Sequence, residues 1–345
     1  MQKKQMDRKK HLIAYLADWA SWQAEDLDVK KVSHINYSFA LIKDGRVSVD
    51  HLEKLDRLKI LKERNKDLKI VLSIGGWGAD GFSDAALTQD SRSLFTKTAI
   101  DIVTEYDFDG LDLDWEYPCR DFAGIKARPE DKANYTHLVR SLRAGLDELS
   151  DKTKRPYLLT MAAGAAEIFV GDLELDLLSL LFDYVSIMTY DFHTGSDTVG
   201  HHTNLYCFEH DQSISVQKSV EAFSRAGLPT EKIVIGAAFY GRGWSGFNRD
   251  LHPIGQKGQG DLSYPYEKIK IAIKEKSLVR YWDQAACAPY LLNDDIFVGY
   301  DDPESLRHKV AYVLKEDLAG IMFWEWSKDV DNELLDAIYK AYQGQ

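Results

Sequence analysis

The stretch "DFDGLDLDWEYP", Asp107–Pro118, decides the fold. Gly110, Asp112, Asp114 and Glu116 alternate with Leu111, Leu113 and Trp115. Side chains of a β-strand alternate between its two faces, so this segment carries one acidic face and one apolar face. The apolar face suits packing under helices, and the acidic face then points inward. Strands of a parallel barrel have neither face in bulk water, which sets aside an ordinary solvated strand. Buried carboxylates are costly unless paired or protonated, and a row of them shares protons and drives their pKa values apart. The acid nearest the C-terminal end of the strand, Glu116, falls at the barrel mouth, where active sites of this architecture lie. A carboxyl group that keeps its proton near neutral pH is what a general acid requires. The residues therefore read as acid catalysis, with Glu116 as donor, Asp114 adjusting its proton and Asp112 holding Asp114. Metal binding by the same acids is the weaker alternative, because no companion histidine stands at ligand spacing.

Working outward, eight short apolar runs read as strands: 12–17, 34–40, 69–75, 110–116, 157–163, 184–190, 233–240 and 320–326. Segments of helical periodicity separate most of them, among them "SLFTKTAIDIVTEY", "ANYTHLVRSLRAGLDELS" and "PESLRHKVAYVLKED". Strand followed by helix, repeated eight times, predicts an α/β fold, a (β/α)8 barrel. The rhythm breaks between the seventh strand and the helix beginning near Pro303. There "GRGWSGFN" and "GQKGQGDLSY" read as loops, "YEKIKIAIKEKS" as a helix, and "VRYWD" and "DIFVGYD" as strands. The expected organisation is a catalytic barrel over 1–243 and 297–345, with a small α+β insertion over 244–296.

The 345 residues carry a net charge of −12, which argues against nucleic acid as a partner, since phosphate binding needs a clustered basic face. No 18-residue apolar run is present, so no membrane span is expected. The basic start "MQKKQMDRKK" is followed by no apolar stretch with a cleavage site. It reads as a solvated, frayed terminus, and the expected location is the cytoplasm, or outside the cell if a signal peptide has been removed. Cys119, Cys207 and Cys287 form neither a disulfide framework nor a zinc spacing, so no metal and no cofactor is expected.

At this point the motifs resemble a known family. "DGLDLDWEYP" resembles the D-x-x-D-x-D-x-E signature of family 18 glycoside hydrolases, the chitinases, on Asp109, Asp112, Asp114 and Glu116. "SIGGW" (73–77), "MTYD" (188–191), "FYGRGW" (239–244) and "MFWEWSKD" (322–329) resemble further family motifs in the family's order. The resemblance implies a retaining reaction without a protein nucleophile, an exception to the usual pair of carboxylates. The substrate's own N-acetyl oxygen attacks the anomeric carbon and forms an oxazolinium ion. Carried onto this sequence, Glu116 protonates the glycosidic oxygen and later activates water, Asp114 stabilises the intermediate, Asp112 shares a proton with Asp114, and Tyr190 orients the acetamide.

Met188 and Asp191 are expected to line the same subsite, and Trp324 to form its floor. Tyr15, Phe39 and Trp77 are expected to line the cleft, with Tyr240 and Arg242 on the sugar's other side. Asp109, Ser73, Gly75 and Gly76 are expected to be structural. Trp19, Trp22, Trp244 and Trp282 are candidate outer platforms, and His193, His201 and His202 read as loop residues near the cleft rim. The family further implies cis peptides at Ser38–Phe39, Glu116–Tyr117 and Trp324–Glu325. Ala14, Leu16 and Gly78 depart from residues common in the family. The expected substrate is chitin or a chitooligosaccharide, acted on by a monomer. The alternatives are a non-catalytic sugar-binding relative, which the presence of Glu116 disfavours, and an endo-β-N-acetylglucosaminidase.

Overall fold

A computed structural model describes residues 10–194 and 196–345. The basic run at the start lies outside the described residues except for Lys10. Fourteen strands are formed among the described residues. The first eight are β1 (His11–Ala17), β2 (His34–Lys43), β3 (Arg46–Ser48), β4 (Lys69–Gly75), β5 (Gly110–Asp114), β6 (Leu158–Gly164), β7 (Tyr184–Met188) and β8 (Ile233–Ala238). The remaining six are β9 (Tyr240–Ser245), β10 (Gln259–Pro265), β11 (Val279–Asp283), β12 (Ala288–Leu292), β13 (Ile296–Gly299) and β14 (Gly320–Trp324). The parallel order β1-β14-β8-β7-β6-β5-β4-β2 closes through β1–β2 pairing, which makes the eight-stranded barrel; β3 is an antiparallel flap on β2. The periodicity of the chain dictates this closure. Apolar residues of β5 such as Leu111 and Leu113 enter the large core under the helices, while Ile13, Tyr15, Tyr184, Val234 and Met322 form a separate cluster with inward parity.

Four barrel strands end earlier than the sequence pattern predicts, β14 among them at Trp324. β5 stops at Asp114, so Glu116 stands beyond the strand in the loop at the mouth. β7 stops at Met188, because Thr189 and Tyr190 turn back on Ile187 and Met188 through 2.8 and 2.7 Å backbone bonds. β8 stops at Ala238, and a new strand begins at Tyr240.

That new strand opens a second, five-stranded sheet of order β10-β9-β13-β12-β11, antiparallel throughout and carrying the helix Tyr266–Lys274. Its strands run from Tyr240 to Gly299, so the elements extend past 244–296 at both ends. "GRGWS" and "QGDLSY" are strands, not loops. The glycines that obscured them are there because the sheet is crowded: a Cβ on Gly241 would meet Val298 at 2.8 Å, and one on Gly243 would meet Tyr264 at 2.8 Å. Trp244 and Phe297 form a core with Val199 and Phe208 from the segment after β7. Trp244 is thereby a packing residue, not an outer sugar platform.

No described helix is long and apolar enough to cross a membrane.

Candidate active site

Asp112 is fully buried and accepts three hydroxyl hydrogen bonds, from Tyr15 (2.8 Å), Ser73 (2.8 Å) and Thr160 (2.7 Å). The donors come from β1, β4 and β6, brought together by the barrel registers. Burial pushes the Asp112 carboxyl up, and the hydroxyl donors pull it back toward the ionised form. Asp114 has no such support. Its Oδ1 is buried without a hydrogen-bond partner among the described residues, and burial, followed by the charges of Glu116 and Asp112, drives its pKa well above the carboxylate range. Asp114 thus holds a proton more readily than Asp112, which is the division a shared proton needs.

Glu116 is half-buried at the mouth. Burial raises its pKa to about 7, with Asp191 adding to the rise and Tyr117 opposing it. Protein surrounds most of the side chain, yet it keeps solvent access, as a group that must exchange a proton with a ligand requires. The Glu116–Tyr117 peptide is cis, as are Ser38–Phe39 and Trp324–Glu325.

Tyr190 follows β7 and faces the acids: after burial, the charges of Asp114, Asp191 and Glu116 are what hold its proton on. Asp191 has a left-handed backbone (φ 58°) and is clamped by Arg242 through two bonds, 2.7 and 3.1 Å. Its backbone N–H donates to His202 Nδ1 at 3.0 Å. Burial drops the His202 pKa to about 4, so the ring is neutral and accepts that bond. Tyr240 is buried beside this pair, 6.1 Å from Tyr190 between ring centres and 5.2 Å below the Arg242 guanidinium.

Trp324 ends β14 and forms a floor with Phe39, whose ring lies 5.5 Å away and nearly parallel. Trp19 flanks both rings at about 6 Å and is 64% exposed; Trp77 is 66% exposed on the rim. Met188 is half-buried in the apolar cluster against the same floor. Gly75 has φ 118°, and a Cβ there would land 2.1 Å from the Asp114 carbonyl oxygen, so the strand can approach the acid only as glycine. A Cβ on Gly76 would strike the Phe39 ring at 2.6 Å. Asp109 lies at the other end of the barrel, where it accepts the Ile70 N–H at 2.9 Å and pairs with Lys62 at 3.0 Å.

Several placements differ from the sequence reading. Tyr15 is 2% exposed, and its hydroxyl is engaged by Asp112, so it supports the acid from below and does not line the cleft. His201 and His202 are fully buried, not rim residues; His201 bonds Asp283 at 3.1 Å and His193 bonds Asp211 at 2.8 Å. Trp22 is buried, with its indole N–H on the Ala17 carbonyl. Thr160 was missed by the sequence reading. Its signal was available, since it occupies an inward parity position on the strand paired to Asp112. No group of three metal-ligating side chains exists among the described residues.

Comparison with known proteins identifies the family of the chain. The family model for glycosyl hydrolases family 18 matches residues 11–329. Chitinase A1 of Niallia circulans is 30% identical over 399 residues, covering 94% of this chain and 57% of its own length. Chitotriosidase-1 of Mus musculus is 30% identical, covering 91% of this chain and 72% of its own. A solved family 18 N-acetylglucosaminidase from Paenibacillus barengoltzii is 41% identical with a TM-score of 0.90, covering 96% of this chain and all of its own.

Proposed function

Because the chain belongs to glycosyl hydrolase family 18, we propose that it is a chitinase, cleaving β-1,4-N-acetylglucosamine linkages with the substrate's acetamide as nucleophile. The observation that carries this reading is the state of Asp114. An ordinary retaining glycosidase needs a second, ionised carboxylate facing the anomeric carbon. Asp114 is 4% exposed, its Oδ1 has no hydrogen-bond partner among the described residues, and burial with the charges of Glu116 and Asp112 raises its pKa well above the carboxylate range, so it is a poor nucleophile, which favours an attacking group from the substrate.

In the proposed reaction, Glu116 donates its proton to the glycosidic oxygen while the bond from that oxygen to the anomeric carbon breaks. The acetamide carbonyl oxygen forms a bond to the same carbon, giving an oxazolinium ion. Asp114 accepts a hydrogen bond from the acetamide N–H, and its shared proton moves toward Asp112 as positive charge develops. The Tyr190 hydroxyl donates to the acetamide oxygen and fixes its line of attack. Water then attacks the anomeric carbon, giving its proton to Glu116, and the ring opens to restore the acetamide. Trp324 and Phe39 offer an apolar floor to the sugar, with Asp191, Arg242, Tyr240 and Met188 along one side and Trp77 and Trp19 at the rim. Tyr15 and Ser73 act through Asp112, and Asp109 acts in the fold. The proposed division of the chain is a barrel over 10–239 and 300–345, with 240–299 as an insertion walling the cleft.

The test is turnover of an aryl chitobioside and of chitotetraose by wild type and Glu116→Gln. Wild type cleaves both and the variant loses at least ~100-fold in kcat. A Gln variant of full activity removes Glu116 from the role. Normal cleavage of the analogue lacking the N-acetyl group removes the substrate nucleophile. The 41%-identical solved relative is an N-acetylglucosaminidase, which supports a second reading, release of single sugars. Product length from chitotetraose separates the two.

A further inference from the structure

The parallel registers, with the one-residue stagger per strand of an eight-stranded barrel, put side chains of alternate strands into common layers. Followed around the barrel from Asp112, the layer consists of Asn36 on β2, Asp112 on β5, Ser186 on β7 and Met322 on β14. Such layers are ordinarily filled by branched apolar residues. Here three of the four members are polar, and all three have no exposed surface.

Asp112 is satisfied, but its layer mates are not. Asn36 Nδ2, Asn36 Oδ1 and Ser186 Oγ reach no partner among the described residues. Tyr184 Oη, which rises from lower on β7 under the charge of Asp112, makes no bond of full hydrogen-bond geometry either, although the Thr160 hydroxyl lies close enough to lower its pKa. The Asn36 amide lies close enough to the Tyr15 hydroxyl and the Asp112 carboxyl to lower the pKa of both, without hydrogen-bond geometry to either. Native cores leave very few buried polar atoms unpaired, so four at neighbouring levels of the barrel axis point to a shared partner.

We propose that the barrel axis beneath the catalytic acids is a built binding site for an internal water, held by Asn36, Ser186 and Tyr184 next to Asp112. The chemistry of the lining is what such a water needs, two to four polar partners of both donor and acceptor type. Asn36 supplies an N–H and a carbonyl, Ser186 and Tyr184 supply hydroxyls, and an ionised carboxylate keeps a free acceptor position after three hydroxyl bonds. A water so placed donates to Asp112 and favours its anion, which keeps the shared proton on Asp114. Asn36 and Ser186 are then positioning residues. They touch no substrate and act on the reaction through Asp112. A direct Asn36–Ser186 bond is the competing arrangement, and it leaves Tyr184 Oη unpaired.

A high-resolution crystal structure of the whole chain tests the site without reference to turnover. The expected result is one ordered water within hydrogen-bond distance of Asn36, Ser186 and Tyr184, lost in Asn36→Leu. An empty compartment, or Asn36 and Ser186 bonded to each other, overturns the proposal. The functional arm rests on the glycosidase reading. For an aryl chitobioside the acidic limb of kcat/KM moves to higher pH by about half a unit to one unit in Asn36→Leu, and in the same direction in Ser186→Ala. Ser186→Ala, which deletes a single oxygen, serves if the leucine variant does not fold. An unmoved limb with only a lower Tm assigns Asn36 and Ser186 to stability and overturns their role in the chemistry.

Discussion

Tyr15→Phe tests the support beneath the acids. The substitution deletes one oxygen from a ring that is 2% exposed and packed 5.7 Å from Trp324, so the shape of the barrel core is kept. What is lost is one of three hydroxyl bonds to Asp112. A hydrogen bond to a charged group contributes about 1.5–3 kcal/mol, and a pKa unit corresponds to about 1.4 kcal/mol, so the uncompensated effect is roughly one to two units. Ser73 donates to the same Oδ2 at 2.8 Å and takes up part of the loss, which favours the lower end. The sign follows from the bond. A hydroxyl donor stabilises the carboxylate, so its removal favours the acid, and the acidic limb of kcat/KM moves to higher pH by about one unit. The alkaline limb, set by Glu116 at about 7, stays in place. Initial rates on an aryl chitobioside across pH 3–9 (roughly the range these limbs require) read both limbs. An unmoved acidic limb, or equal movement of both, refutes the assignment of Tyr15 to Asp112.

Glu116→Gln also has a consequence for stability. The Glu116 pKa lies near 7 against an ordinary 4.5, chiefly through burial. Below about pH 4 both folded and unfolded chains are protonated there. Between the two values only the unfolded chain ionises freely, so stability falls as pH rises and levels off above about 7. Glutamine removes this loss: the variant matches wild type at pH 4 and has the higher Tm at pH 8, by an upper bound of about 3 kcal/mol. Equal Tm differences at both pH values contradict a raised Glu116. Lys309→Met breaks a fully buried ion pair. Lys309 Nζ bonds Asp301 Oδ2 and Thr203 Oγ1, each at 2.6 Å. Removal of one partner from such a pair costs about 3–5 kcal/mol, read by urea unfolding, and a loss below about 1 kcal/mol shows that the pair is not coupled to the fold.

The barrel was legible because its signal is repeated: eight runs, each with strand periodicity, and one with three acids in register. That Asp112 and Asp114 share an inward face was legible from parity, and Glu116 continues the alternation past the end of the strand. What holds them was not legible. Tyr15, Ser73 and Thr160 lie on three different strands, and only the barrel's stagger brings their hydroxyls to one carboxylate. Lys309 sits in a charged, periodic helix, yet its ammonium is enclosed, because Thr203 comes from a distant segment and Asp301 from the approach to the same helix to meet it. The strands β9 and β10 were hidden by glycines that serve close packing, and His202 by a loop whose burial depends on the second sheet.

These hidden parts explain why the second sheet matters to the chemistry. Arg242 is on β9, whose neighbours in the sheet are β10 and β13. Its guanidinium fixes Asp191, one residue beyond Tyr190 and a source of negative charge that raises Glu116. His202 holds the Asp191 backbone, while His201 reaches Asp283 on β11. Thr203 bonds the Thr189 carbonyl at 2.7 Å and accepts a hydrogen bond from Lys309, and Asp301 accepts the Ala238 N–H at 3.0 Å, so one buried pair ties the ends of β7 and β8 together. The barrel therefore sets the proton positions of the three acids, and the second sheet sets where Tyr190 and Asp191 stand against them. An insertion that only lined the cleft would need no such bonds into the turn carrying these two residues.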